Sequence, residues 1–155
     1  RNLFDVFVIM LTLPLASVGS VWLLWLLDYQ LSVAVAVGFI ALSGVSVEIG
    51  VVMLMYLKQA YKERCFLAEK EQREFNHGDL VAAVIDGALK RIRPIVMTVA
   101  AVVAGLLPIM LSSATGSEIM KRIAAPMVGG MISAMVLTLL VIPAAFYLSK
   151  KRKCL

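Results

Sequence analysis

Residues 31–57, LSVAVAVGFIALSGVSVEIGVVMLMYL, decide the fold: they form one long apolar run broken by a single charge, Glu48. A bilayer's hydrocarbon core is crossed by about 20 apolar residues of helix, each rising about 1.5 Å, so this run is long enough to span it. Three further runs, 6–27, 95–117 and 123–149, carry no charge. The last is long enough to tilt or to project beyond the membrane. With 61% hydrophobic and 16% charged residues and a mean hydropathy of +0.93, the chain departs from soluble domains, in which roughly a quarter of residues are charged. The fold class that follows is an all-α membrane protein with four transmembrane helices.

The net charge of +5 invites a nucleic-acid reading, and the placement of the charges argues against it. If the helices alternate in direction, Arg1, the eight basic residues of segment 58–94, and Lys150, Lys151, Arg152 and Lys153 share one side. Only Lys121 and Arg122 remain for the other. Lys and Arg collect on the cytoplasmic side of membrane proteins, so both ends and the 58–94 linker are expected there. The basic tail then serves as an orientation and lipid-headgroup anchor.

A tight turn at Asp28, Tyr29 and Gln30 makes the first two helices an antiparallel hairpin, and Ser112, Ser113, Ala114, Thr115, Gly116 and Ser117 supply a second turn. The linker has two characters. Residues 63–77 are strongly charged and read as solvated helix or loop, whereas 79–93 read as a short amphipathic helix. There Leu80, Val81, Val84, Ile85 and Leu89 recur at helical spacing, Asp79 is placed to cap the start, and Lys90, Arg91 and Arg93 complement the last turn. This helix is expected to lie along the membrane surface, with Pro94 opening the third span. Pro14, Pro108, Pro126 and Pro143 inside apolar helices free backbone groups that neighbours must satisfy, which requires a packed bundle. Small residues agree: Ala125, Gly129, Gly130 and Ala134 form a strip that permits close backbone approach, and Ala41 and Gly44 lie on roughly the face of Glu48.

Glu48 stands ten residues, about 15 Å, from Lys58, within the hydrocarbon layer. A carboxylate there needs a proton, a cation or a water-lined cavity. Burial disfavours the ionised form, which suits the group to loading and releasing protons. Thr98, in the same half of the third span, has a hydroxyl able to donate and accept in a relay with Glu48, or to bond its own backbone. The nine methionines matter because thioethers are soft ligands for Cu(I) and Ag(I). Met127, Met131 and Met135 read as core packing. Met120 sits beside Glu118, Lys121 and Arg122 at the outer boundary, where ions would arrive. Cys65 and Cys154 read as free, reduced thiols and His77 as a solvated loop residue. With no nucleophile–base pair and no phosphate-cradling motif, an enzyme is disfavoured.

GFIALSGVSVEIGVVMLMYL at 38–57, RIRPIVMTVAAVVAGLLPIM at 91–110 and GSEIMKRIAAPMVGGMISA at 116–134 resemble the heavy-metal efflux branch of the resistance-nodulation-division (RND) transporters. The match covers nearly the whole chain in order. It implies the last four of twelve transmembrane helices, and hence an excerpt of a larger protein. A glutamate at Glu48 resembles the copper/silver pumps, in contrast to relatives exporting divalent zinc, cobalt or cadmium. The resemblance implies a trimeric inner-membrane proton antiporter that works with a periplasmic adaptor and an outer-membrane channel. It implies no resident cofactor: Cu(I) or Ag(I) is the cargo and H⁺ the coupling ion. By motif position, Glu48 and Thr98 match the proton relay and Met120 the metal path. One departure stands out, because Ile95 follows Pro94 where the copper/silver pumps carry lysine. Two alternatives remain open, a divalent-metal or multidrug pump of the same superfamily and a truncated, non-transporting membrane scaffold.

Overall fold

The computed structural model of the protein describes residues 3–151; Arg1, Arg152, Lys153 and Cys154 lie outside the described residues. The chain forms four helices, α1 (Leu3–Leu26), α2 (Val33–Lys70), α3 (His77–Leu111) and α4 (Ser117–Lys151). Each contains a window long and apolar enough to cross a membrane. The four expected spans are therefore present, in an all-α membrane segment. Helix α4 is the hub: it packs on α1, α2 and α3, and α1 and α3 do not touch. Met53 and Leu57 of α2, Ile95 and Val99 of α3, and Met131 and Ile142 of α4 share one buried cluster.

Lipid tails are as apolar as leucine, so membrane helices are held by close packing and interhelical hydrogen bonds. The α1–α4 crossing uses both. A Cβ added to Gly19 would lie 2.2 Å from the Ser133 Cβ and 2.6 Å from the Gly129 carbonyl oxygen, and one on Gly129 would lie 2.7 Å from the Leu23 Cβ. Only glycine permits this approach. Beside it, the Ser20 hydroxyl donates to the Pro126 carbonyl at 2.6 Å, and Ser133 donates to the Leu15 carbonyl at 3.0 Å. The strip expected from Ala125, Gly129, Gly130 and Ala134 thus packs on α1 and α2: Gly130 faces Ser20 and Leu42. Met131 is fully buried and Met135 packs against the same core, as expected for packing methionines.

The linker departs from the sequence reading. There is no break at residue 58 and no separate surface helix. Helix α2 runs on to Lys70, and α3 begins at His77 and continues through Pro94 into the span. The amphipathic stretch 79–93 is helical and forms the first half of α3, packed antiparallel on the extension of α2. A Cβ on Gly87 would sit 3.1 Å from the Leu57 Cα, so the two helices approach closely there. Charges that read as a solvated segment are cross-helix partners: Arg64 pairs with Asp86 and Lys90 with Glu63 at 3.5 Å. Asp79 does not start the helix. Asn76 is the N-cap, its side chain accepting from the His77 N–H at 2.7 Å, while Asp79 accepts from the Asn76 N–H at 3.1 Å, a reciprocal capping box. That Asn76 N–H, with the Arg73 guanidinium second, holds the Asp79 carboxyl below the usual carboxylate range despite some desolvation.

The end of α4 joins this extension. Lys150 lies 4.5 Å above the Tyr61 ring, and the Tyr147 hydroxyl contacts His77 Nε2 at 2.6 Å with the rings edge to face. His77 is therefore the first residue of a helix with a specific partner, and not simply a solvated loop side chain. At the other end of α1, Trp22 and Trp25 are exposed, placed as interfacial aromatic residues are.

Candidate functional site

Helical phase decides where Glu48 points. On α2, Val35, Gly38, Leu42, Ile49, Met53 and Leu57 are buried against the other helices. Ala41, Gly44, Glu48 and Met55 fall on the opposite side and are exposed. A Cβ added to Gly44 would meet nothing within 4 Å. Glu48 makes no hydrogen bond or ion pair to any described residue. Its position along α2 is within the apolar span, as the sequence implies, but the four helices do not bury it.

Helix α3 shows the same division. Ile95 and Val99 are its last fully buried residues; from there to Leu111 the helix is covered only in part. Met97, Thr98, Ala101, Ala104 and Gly105 are exposed, and the space beside Gly105 is open. The Thr98 hydroxyl donates to the Pro94 carbonyl at 2.9 Å. That is the local backbone bond open to any helical threonine, and it leaves the oxygen's lone pairs free to accept. No hydrogen bond joins Thr98 to Glu48. Ile95, standing where the resembling pumps carry lysine, is 1% exposed and belongs to the core, on the covered side of α3.

Met120 lies in the first turn of α4, at the end of the bundle away from the α2–α3 extension, and is 54% exposed. Beside it, Ser32 before α2, Val33 of α2 and Glu118 and Arg122 of α4 line a groove of about 640 Å³, whose wall does not include Met120. Among the described residues no group of three or more His, Cys, Asp or Glu side chains converges as a metal site.

The structure therefore places Glu48 and Thr98 on uncovered faces of adjacent helices and Met120 apart from both. Sequence reading did not find the Ser20, Ser46 and Ser133 hydroxyls that tie α1 to α2 and α4. Their only signal is a small polar residue among apolar ones, which also describes Ser43, bonded to its own helix at 2.8 Å. An ionised carboxylate at the bilayer centre costs about 3 kcal/mol on insertion scales. The Glu48 stripe calls for a covering of protein or water beyond these four helices.

Fold and stripe together define a segment of a polytopic helical membrane protein with one face left open by its four helices. A profile of the AcrB/AcrD/AcrF family matches residues 1–150, and the chain belongs to that family. Its likeness to the heavy-metal RND transporters is direct. It is 49% identical over 148 residues to the cation efflux system protein CusA of Escherichia coli strain K12, covering 96% of this chain and 14% of that protein. The putative cation efflux system protein SilA of Salmonella typhimurium shows the same identity and coverage. The cobalt-zinc-cadmium resistance protein CzcA of Cupriavidus metallidurans is 34% identical over 152 residues, 98% of this chain and 13% of that protein. Among solved structures, the crystal structure of a heavy metal efflux pump superposes with a TM-score of 0.78 at 33% identity, over 97% of this chain and 14% of that one. The chain thus spans about one-seventh of the length of the relatives it matches.

Proposed function

We propose that this chain is the last four-helix segment of the twelve-helix membrane domain of an inner-membrane, proton-driven efflux transporter that exports Cu(I) or Ag(I). The observation that carries the reading is Glu48, an unpartnered carboxylate within a span, on a stripe of small residues that the four helices leave open. A glutamate that carries protons needs access to water and to a partner charge, and a face left uncovered by these four helices has room for both. Thr98 would join the relay by turning its hydroxyl off the Pro94 carbonyl, so that it passes its own proton on as it accepts another. Met120 offers a soft, exposed thioether at the outer boundary for the monovalent ion.

The chain is nearer in sequence to CusA and SilA, at 49% identity, than to the cobalt-zinc-cadmium resistance protein CzcA, at 34%, which agrees with the resemblance of Glu48 to the copper/silver pumps. In this reading the chain's two ends face the cytoplasm, the whole protein is a homotrimer, and a periplasmic adaptor and an outer-membrane channel complete the path. The test is ion-specific. A strain lacking the intact protein should become sensitive to copper and silver and remain tolerant of zinc, cobalt and cadmium. Proteoliposomes holding it should move Cu(I) only when a proton gradient is imposed. Sensitivity confined to divalent ions would reject the cargo, and transport indifferent to the gradient would reject the coupling.

A further inference from the structure

A groove of about 620 Å³ runs between the first turns of α1 and the last turns of α4, away from the Glu48 stripe. Phe4, Phe7 and Leu11 form one wall, Ala145 and Leu148 the other, and Val8, 4% exposed, the floor. Four to eleven on α1 is seven residues, about 10 Å along the helix axis, and the volume lies in the range of roughly 300–1,000 Å³ common for ligand sites. The groove is apolar along its length and becomes polar at one end, where Ser149 and Lys151 complete the lining. In the orientation proposed above, that end lies at the membrane surface.

Among the described residues the charges there are not balanced. Asp5, the one acidic residue of α1, is paired with Lys58 of α2. Lys150 is held over the Tyr61 and Phe146 rings. Lys151 makes no ion pair or hydrogen bond among the described residues. We infer that this groove binds an anionic phospholipid, with an acyl chain along Phe4, Phe7 and Leu148 and its headgroup phosphate on Lys151 and Ser149. A phospholipid supplies an anion for the Lys151 ammonium and hydrocarbon for the Phe4, Phe7 and Leu148 walls together. The inference does not depend on which ion the transporter carries.

The intact protein in phosphatidylcholine nanodiscs, doped with phosphatidylglycerol carrying a diazirine on its acyl chain, tests this directly. Photolabel should be recovered on peptides containing residues 4–11 and 145–151, and a phosphatidylcholine probe should label them less. Lys151→Gln should weaken phosphatidylglycerol labelling about fivefold, the equivalent of about 1 kcal/mol per surface lysine, and Lys151→Arg should restore it. Ala145→Phe, which fills the groove, should remove labelling by both probes. Equal labelling by the two lipids, unmoved by Lys151→Gln, would mean ordinary boundary lipid and overturn the proposal. So would an absence of label, which would mean that another part of the protein covers the groove.

Discussion

The α1–α4 seam and the outward faces of α2 and α3 contain the same kinds of residue and use them in opposite ways. At the seam, Gly19 and Gly129 leave no room for a Cβ, and serines bond carbonyls on the facing helix. On the open faces, Gly44 and Gly105 have nothing near them, Thr98 bonds its own helix and Glu48 bonds nothing described. Small residues in an apolar helix mark a close approach at the seam, whereas beside Gly44 and Gly105 nothing among the described residues approaches. The seam is structure already complete. The open face, on the function proposed above, lies against the remainder of the protein.

The contrast is sharpest in what a methyl group would do. Gly19→Ala sets a Cβ against the Gly129 backbone, which cannot swing aside as a side chain can. It should cost at least about 1–3 kcal/mol, the range for overpacked cores, read as a lowered Tm of the detergent-purified protein. Removing the Asn76 cap from the α2–α3 extension, by Asn76→Ala, should cost about 1 kcal/mol and speed hydrogen exchange at the start of α3 without touching the spans. Ser20→Ala, which deletes one interhelical bond, should cost about 0.6 kcal/mol, the average for such bonds in a membrane protein. Gly44→Ala should leave Tm within error in the four-helix context. If it lowers transport in the intact protein, the open face is covered there.

The α2–α3 extension also predicts a pH dependence of definite sign. The Asp79 carboxyl is held below its usual range by the Asn76 N–H and then by Arg73. Its contribution is therefore present above the unfolded value of about 3.9 and lost as pH falls through the lower folded value. Exchange at the start of α3 should be constant from neutral pH to about 4, once the intrinsic rate is allowed for, and accelerate below it. In Asp79→Asn the acceleration should be absent.

The spans were legible because hydrocarbon thickness sets a length, and uncharged runs of that length are rare outside membranes. The course of 58–94 was not. Charges such as Glu63, Arg64, Asp86 and Lys90 look like a break when read along the chain, and only the antiparallel pairing turns them into cross-helix contacts. Pro94 looks like a helix start because sequence does not reveal that a further helical stretch precedes it in line. For Glu48 the reading was half complete. Its place within the apolar part of α2 follows from the run of sequence around it, and its phase with Ala41 and Gly44 follows from the helical period. Which of two faces the neighbours cover depends on how α4 lies across α2, and no local pattern encodes that. The same holds for Ile95: its motif position draws attention, but its place in the core emerges only from packing.

The central claim is that Glu48 serves proton movement on an open face and does not hold the bundle together. Glu48→Gln in the intact protein keeps the shape and removes the titrating charge. The account predicts unchanged membrane expression and Tm, with proton-driven Cu(I) or Ag(I) transport in proteoliposomes, and metal tolerance in cells, lost. Unchanged transport and tolerance would contradict it, as would a lowered Tm accompanying the loss.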